Sequence, residues 1–131
     1  MIYALFALGA ITGALCRYHL VRIIQSRQRG LFPVGTLLVN TSGSLLLGLI
    51  ASLVATDPNW QQTALQLVAG AGFCATYTTF SSFMFESVQL WRRHYQRVAL
   101  LNLCAQPLLG LVCAWLGLLI GSGVTAWLTT V

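Results

Sequence analysis

Four apolar stretches, about 2–24, 34–55, 63–90 and 98–121, leave this chain few folds to choose from. Each reaches the roughly 20 residues that an α-helix needs to cross the hydrocarbon core of a bilayer. Backbone N–H and C=O groups in lipid must be satisfied within the structure, so a stretch of this kind becomes a helix. Composition agrees: 57% of the residues are hydrophobic and 7% are charged, against about 25% charged in a soluble domain. The expectation is an all-α membrane protein, one domain of four transmembrane helices over residues 1–131. Met1 to Cys16 show no basic leader region and no clear small-x-small cleavage site, and the bulky Leu15 argues against a lipoprotein signal at Cys16, so this segment reads as a retained helix.

Arg27, Arg29, Gly30 and Pro33 mark the first loop, Asp57, Pro58 and Asn59 the second, and Arg92, Arg93 and Arg97 the third. Trp60, Trp91 and Trp127 fall near predicted boundaries, where interfacial aromatics sit. All 7 basic residues are Arg, and Arg22, Arg27, Arg29, Arg92, Arg93 and Arg97 lie in or beside the first and third loops. Four spans put those loops on one side, which the positive-inside rule makes the cytoplasm. The net charge of +5 is therefore a topology signal. No interleaving of basic and aromatic residues suggests a nucleic-acid surface, so no nucleic-acid partner is expected. No catalytic constellation and no GxxxxGK(S/T) phosphate loop is visible, so the chain does not read as an enzyme.

Three spans carry a small or polar residue at every fourth position: Gly9, Gly13 and Arg17; Thr36, Asn40, Ser44 and Gly48; Asn102, Gln106, Gly110 and Ala114. Residues four apart share a helix face. Small residues let helices approach closely in lipid, which accounts for Gly9, Gly13, Gly48 and Gly110. Close packing does not account for Asn40, Asn102 and Gln106, whose carboxamides must bond each other, water or a passing solute. Arg17 either snorkels to the headgroups or sits in a wet vestibule where it concentrates anions. Glu86, an intramembrane carboxylate, is a functional candidate, and pairing with an Arg is the favoured reading.

The third span is longer than a crossing requires. Gly70, Gly72 and the hydroxyl cluster Thr76–Ser82 lie in its middle, where membrane helices break and freed carbonyls meet ions; a break is expected near 74–79. Thr78-Thr79-Phe80-Ser81-Ser82-Phe83 places four hydroxyls and two phenyl rings at membrane depth, with Glu86 one turn later. Phe80 and Phe83, three apart, share a face and either pack between helices or turn their positive ring edges to a small anion. Cys16, Cys74, Cys104 and Cys113 show no CxxC spacing and read as small buried apolar residues; His19 and His94 have no ligand companions.

These residues together resemble the Fluc (CrcB) fluoride channel family of bacteria, over essentially the whole chain. Gly13-Ala14-Leu15-Cys16-Arg17-Tyr18 is similar to its Gly-x-x-x-Arg segment. Pro33-Val34-Gly35-Thr36-Leu37-Leu38-Val39-Asn40 with Ser42-Gly43-Ser44 is a specific match in the second span, as are Gly72-Phe73-Cys74 and Thr78 to Phe83 with Glu86 in the third. The resemblance implies an antiparallel, dual-topology dimer in the bacterial inner membrane, with two fluoride pores lined by both subunits. It implies that Phe80, Phe83, Asn40 and Thr36 line the path, with Ser44, Thr79, Ser81, Asn102 and Gln106 on the same track. Arg17 becomes a vestibule residue and Glu86 a polar residue at the pore end. It also implies a central sodium ion on the backbone carbonyls of Ala75 and Thr78. Three departures stand out: Ala75-Thr76 replaces the family's usual Gly-Gly, Asn102 and Gln106 stand where relatives often carry other polar groups, and six Arg on one side is an unusual bias for a subunit that inserts both ways. Both a homodimer and a paired heterodimer stay open.

Fluoride is small and strongly hydrated, so a pore must replace its water with donors. Asn40 offers two N–H groups, Thr and Ser one O–H each, and the two phenyl edges add weaker positive contacts. Several weak sites suit conduction better than one tight one. The implied activity is passive fluoride export. The alternatives are a small proton-coupled exporter with Glu86 as the exchanging carboxylate, and a non-transporting assembly subunit.

Overall fold

The computed structural model describes residues 2–55, 64 and 66–130. The expected loop of Asp57, Pro58 and Asn59, with Trp60 and the start of the third span at 63, lies outside the described residues. Helix α1 spans Ile2–Arg27 and α2 Val34–Ala55; three shorter pieces follow, α3 (Gln66–Cys74), α4 (Ala75–Tyr77) and α5 (Phe80–Arg92), and then α6 (Gln96–Thr130). Among the described residues, α1, α2 and α6 are long and apolar enough to cross a membrane. The third segment is built in pieces, and α3 is wound with the wider π-helical pitch.

Small residues decide which helices touch. A side chain added at Gly48 would strike the Ala114 carbonyl, and one at Gly117 the Leu45 carbonyl, so α2 and α6 lie backbone to backbone. Gly9 and Gly13 do the same for α1, against the carbonyls of Val68 and Phe73. With no hydrophobic drive between helices in lipid, such close approach supplies the van der Waals energy of association. Leucines, by contrast, cover the outside; Leu8, Leu38, Leu101, Leu108 and Leu111 are all exposed. Cys16 and Cys104 are exposed too, while only Cys74 is buried. The expectation of four buried cysteines therefore fails: the stripes of Gly, Asn and Gln take the inner faces.

Element ends follow local chemistry. Pro33, which has no N–H to lose, accepts the first bond of α2 from Leu37 N–H at 3.1 Å. At the end of α5, His94 takes φ 64°. Tyr95 N–H reaches back to the Leu90 carbonyl at 3.0 Å and His94 N–H to the Trp91 carbonyl at 3.1 Å. This is a Schellman cap with histidine in the left-handed position that glycine usually holds. α6 runs well beyond the expected limit at 121, for 35 residues or about 52 Å at 1.5 Å per residue. No proline stands between Gly121 and Thr130, and Pro107 lies inside the helix without ending it.

The third segment fixes where the site lies. Winding stops after Tyr77: Thr78 has φ −78°, ψ 161° and Thr79 φ −151°, ψ 116°, both extended. Thr79 then caps α5, its hydroxyl accepting Ser82 N–H at 3.2 Å. The two residues between α4 and α5 carry backbone groups that the helices no longer satisfy.

Candidate functional site

Asn40, in the middle of α2, takes up those groups. Its Oδ1 accepts Thr79 N–H at 2.8 Å, and its Nδ2 donates to the Thr79 carbonyl at 3.1 Å. A carboxamide can do this because it mimics a peptide unit. The same Nδ2 donates to Gln106 Oε1 at 2.7 Å. Gln106 Nε2 donates to Asn102 Oδ1 at 3.2 Å, and Asn102 Nδ2 to Ser87 Oγ at 2.9 Å. The three carboxamides expected to need partners thus find each other, on α2 and α6. Ser87 closes the chain on α5 and was missed by sequence reasoning. Its signal was there: it lies seven residues after Phe80 and four after Phe83, on the same helix face.

Phe80 and Phe83 flank this network. Their ring centroids are 5.7 Å apart with planes at 66°, an edge-to-face pair. Phe83 is buried, at 8% exposure, while Phe80 is 74% exposed on the subunit. Phe83 therefore packs inside the subunit, and Phe80 does not. Asn40, Ser44, Thr79, Phe80, Phe83 and Gln106 all border one cleft of about 750 Å³. Ser44 Oγ donates to the Asn40 carbonyl of its own helix at 2.8 Å. Ser81 Oγ lies 3.2 Å from Thr79 Oγ1.

A second cleft, of about 840 Å³, has Arg17, Arg22, Thr36, Ser82, Glu86 and Gln89 among its lining residues. Thr79 borders both clefts. Arg17 does not snorkel: its Nη1 donates to the Thr78 carbonyl at 3.3 Å. Glu86 pairs with a hydroxyl rather than with the favoured Arg. Thr36 Oγ1, fully buried, donates to Glu86 Oε1 at 2.6 Å, and Glu86 Oε2 is buried without a partner. The reason is register: Glu86 sits one turn along α5 from Phe83, level with Thr36 on α2, and Arg17 is drawn to the interrupted backbone instead. Thr36 and Asn40, one turn apart on α2, therefore serve different partners.

Ala75 and Thr78 stand on either side of the stop in winding. Thr79 N–H, the amide that a continued helix would return to the Ala75 carbonyl, is given to Asn40. Thr78 Oγ1 donates to the Cys74 carbonyl at 2.9 Å. Among the described residues, no group of three or more His, Cys, Asp or Glu is placed to hold a metal.

Comparison with known proteins agrees with the geometry. The model of the family described as "CrcB-like protein, Camphor Resistance (CrcB)" matches residues 4–118. The chain is 39% identical over 124 residues to "Fluoride-specific ion channel FluC 1" of Symbiobacterium thermophilum, covering 94% of this chain and 99% of that protein. It is 39% identical over 120 residues to FluC 1 of Listeria monocytogenes serotype 4b, with 91% and 96% covered. To FluC 2 of Haloarcula marismortui it is 42% identical over 110 residues, with 82% and 85% covered. The chain is a member of the CrcB family, a multi-pass, all-helical membrane protein.

Proposed function

We propose that this protein is a fluoride-selective channel that exports fluoride passively across the bacterial inner membrane and so limits its toxicity inside the cell. The observation that carries the reading is the clasp of Asn40 on Thr79, directly before the edge-to-face pair Phe80 and Phe83. It holds amide, hydroxyl and ring-edge hydrogens around one cleft, and these are the donors that a dehydrated fluoride needs. The names of the relatives favour a fluoride channel over a proton-coupled exporter.

In this reading the stop in winding at Thr78 and Thr79 is the working break of the third helix. Phe80, Phe83, Asn40, Ser44, Thr79, Ser81, Asn102 and Gln106 belong to the path. Thr36 and Glu86 mark its end toward the second cleft, and Arg17 raises anion concentration there. The 74% exposure of Phe80 fits a ring that a second subunit covers. That subunit packs antiparallel, as a second copy or a paired homologue, and two paths run along the shared surface. The Ala75 carbonyl, which no longer receives Thr79 N–H, supports a sodium ion at the dimer centre, since hard cations take neutral oxygen ligands; the Thr78 carbonyl joins it only once released by Arg17. Bound there, sodium supplies a fixed positive field beside the path. The backbone at Ala75-Thr76 supports the reading in one respect: neither residue has the positive φ that would call for glycine.

The test is fluoride release from liposomes that contain only this chain, read with a fluoride electrode. We expect release that follows the fluoride gradient, is indifferent to a pH gradient, and is lost in Phe80→Ile or Phe83→Ile. Release driven by a pH gradient and abolished by Glu86→Gln overturns the channel in favour of the exporter. Release that appears only after a related subunit is added assigns the partner as a paired homologue.

A further inference from the structure

Asn40 has no hydrogen left to offer an anion. The two N–H groups of its carboxamide go to the Thr79 carbonyl and to Gln106 Oε1. Its orientation is fixed, because Thr79 N–H can only donate and so must face Oδ1. That sets the direction of every bond beyond it. Gln106 turns its oxygen to Asn40 and its nitrogen to Asn102; Asn102 turns its oxygen to Gln106 and its nitrogen to Ser87. Ser87 ends the chain with a hydroxyl that donates to the Phe83 carbonyl at 2.8 Å. Asn102, Ser87 and Gln106 are 0%, 3% and 4% exposed, so bulk water does not substitute for any of these bonds. Gln106 is the member of the three that also borders the cleft of Phe80 and Phe83.

A chain of two carboxamides ending on a hydroxyl has a second arrangement, equally satisfied once an anion accepts from Asn40 and Gln106. The hydroxyl turns about its C–O bond, and each carboxamide turns half a revolution about its last side-chain bond. Ser87 O–H then donates to Asn102 Oδ1, Asn102 Nδ2 to Gln106 Oε1, and Gln106 Nε2 faces the cleft. The Phe83 carbonyl gives up only the hydroxyl and keeps its helical amide. We propose that Ser87, Asn102 and Gln106 form a reversible hydrogen-bond relay that shows an acceptor to Asn40 when the path is empty and a donor to fluoride when the ion arrives. Fluoride displaces Gln106 Oε1 from the Asn40 N–H because a bond to an anion is stronger than one between amides. The released Gln106 then adds its own N–H to the ion. No proton and no charge changes owner. Gln106 is thus a ligand of the ion, and Asn102 and Ser87 are positioning residues. The relay rests on the fluoride-channel reading and names how its path rearranges.

The experiment uses the full chain in two ways. In ¹⁵N-labelled wild-type protein, the side-chain amide of Asn102 is followed by NMR while sodium fluoride, or sodium chloride as control, is added. We expect it to shift with fluoride and not with chloride, although Asn102 touches no ion in either arrangement. In liposomes, Ser87→Ala leaves only the Phe83 carbonyl at the end of the chain. That carbonyl suits the empty arrangement and cannot donate to Asn102 in the reversed one. The half-saturating fluoride concentration then rises on the order of tenfold, the cost of one unsatisfied buried acceptor, and Ser87→Thr, which keeps the hydroxyl, brings it back toward wild type. An Asn102 amide unmoved by fluoride in protein that conducts, or Ser87→Ala with an unchanged half-saturation, overturns the relay and leaves the channel standing. Wild-type protein that carries no fluoride overturns the channel reading itself.

Discussion

Replacing Asn40 with Ala removes the side chain that stands in for helix at the interruption. Three hydrogen bonds go, at 2.8, 3.1 and 2.7 Å. Two groups are stranded, Thr79 N–H and Gln106 Oε1; the Thr79 carbonyl, at the N-cap of α5, keeps the first bond of that helix. Each costs about 1–3 kcal/mol when buried and unpaired. Thr79 is 7% and Gln106 4% exposed, but both border the open cleft, so water that follows the truncation relieves part of the loss. For two such groups a value in the lower half of the range, about 3 kcal/mol in total, is the expected cost. That corresponds to a roughly 100-fold change in an opening equilibrium. Amide hydrogen exchange in detergent or nanodiscs reads it directly. Thr79 N–H, held by Asn40 in the native protein, loses about 100-fold of its protection in Asn40→Ala, while amides in the middle of α1 keep theirs. Unchanged exchange at Thr79 would refute the reasoning, because the clasp would then not be what holds the backbone at this point.

Other perturbations follow from the same contacts. Thr36→Val keeps the shape but strands Glu86 Oε1, which Thr36 now serves at 2.6 Å; we expect a loss of about 1–3 kcal/mol in reversible unfolding, with Thr36→Ser recovering most of it. Gly117→Val drives a side chain into the Leu45 carbonyl where α2 and α6 meet; overpacking costs about 1–3 kcal/mol or more, to be seen as a lower melting temperature in detergent, whereas the same change at Gly123, which faces open space, moves it little. Exchange of sodium for a large organic cation during purification lowers fluoride flux from liposomes, and return of sodium restores it; flux equal in both media argues against the carbonyls of Ala75 and Thr78 as a cation site.

Much of this was legible in the sequence because lipid removes alternatives. The second helix occupies 34–55, as its apolar stretch indicates, since Pro33 can only begin it and nothing interrupts the run. The stripes of Gly9 and Gly13 and of Gly48 mark the true contact faces, because close packing in lipid needs small residues there and leaves little else to choose. Partner choice among polar side chains was less legible. Spacing places Asn40, Asn102 and Gln106 on inner faces but does not say that the first grips the backbone at 79. That bond depends on where α5 restarts, a tertiary fact. Charge sign alone misassigned Glu86, which is held by a neutral hydroxyl while the guanidinium of Arg17 goes to a carbonyl. Cysteine burial was misread for a related reason: in lipid the outside of a helix is as apolar as its inside, so hydrophobicity does not tell the two apart.

The two clefts have a common origin in how tightly the rest of the bundle is drawn. Glycines bring α1 against α3 and α2 against α6, and α5 packs mainly on α6. If the third segment ran as one straight helix, the face that follows α3 would continue along α1 to the end of the bundle. The extended pair Thr78–Thr79 redirects the chain, so that α5 follows α6 and departs from α1. The space left between α1 and α5 is the 840 Å³ cleft of Arg17, Thr36 and Glu86, and Thr79 sits where it meets the cleft of Phe80 and Phe83. One short stretch of non-helical backbone therefore opens room on one side and turns Phe80 outward on the other. Its orphaned groups oblige the sequence to bring Asn40 and Arg17 to the same depth. Polar residues at this depth are the consequence of the interruption, and the interruption is what gives them something to line.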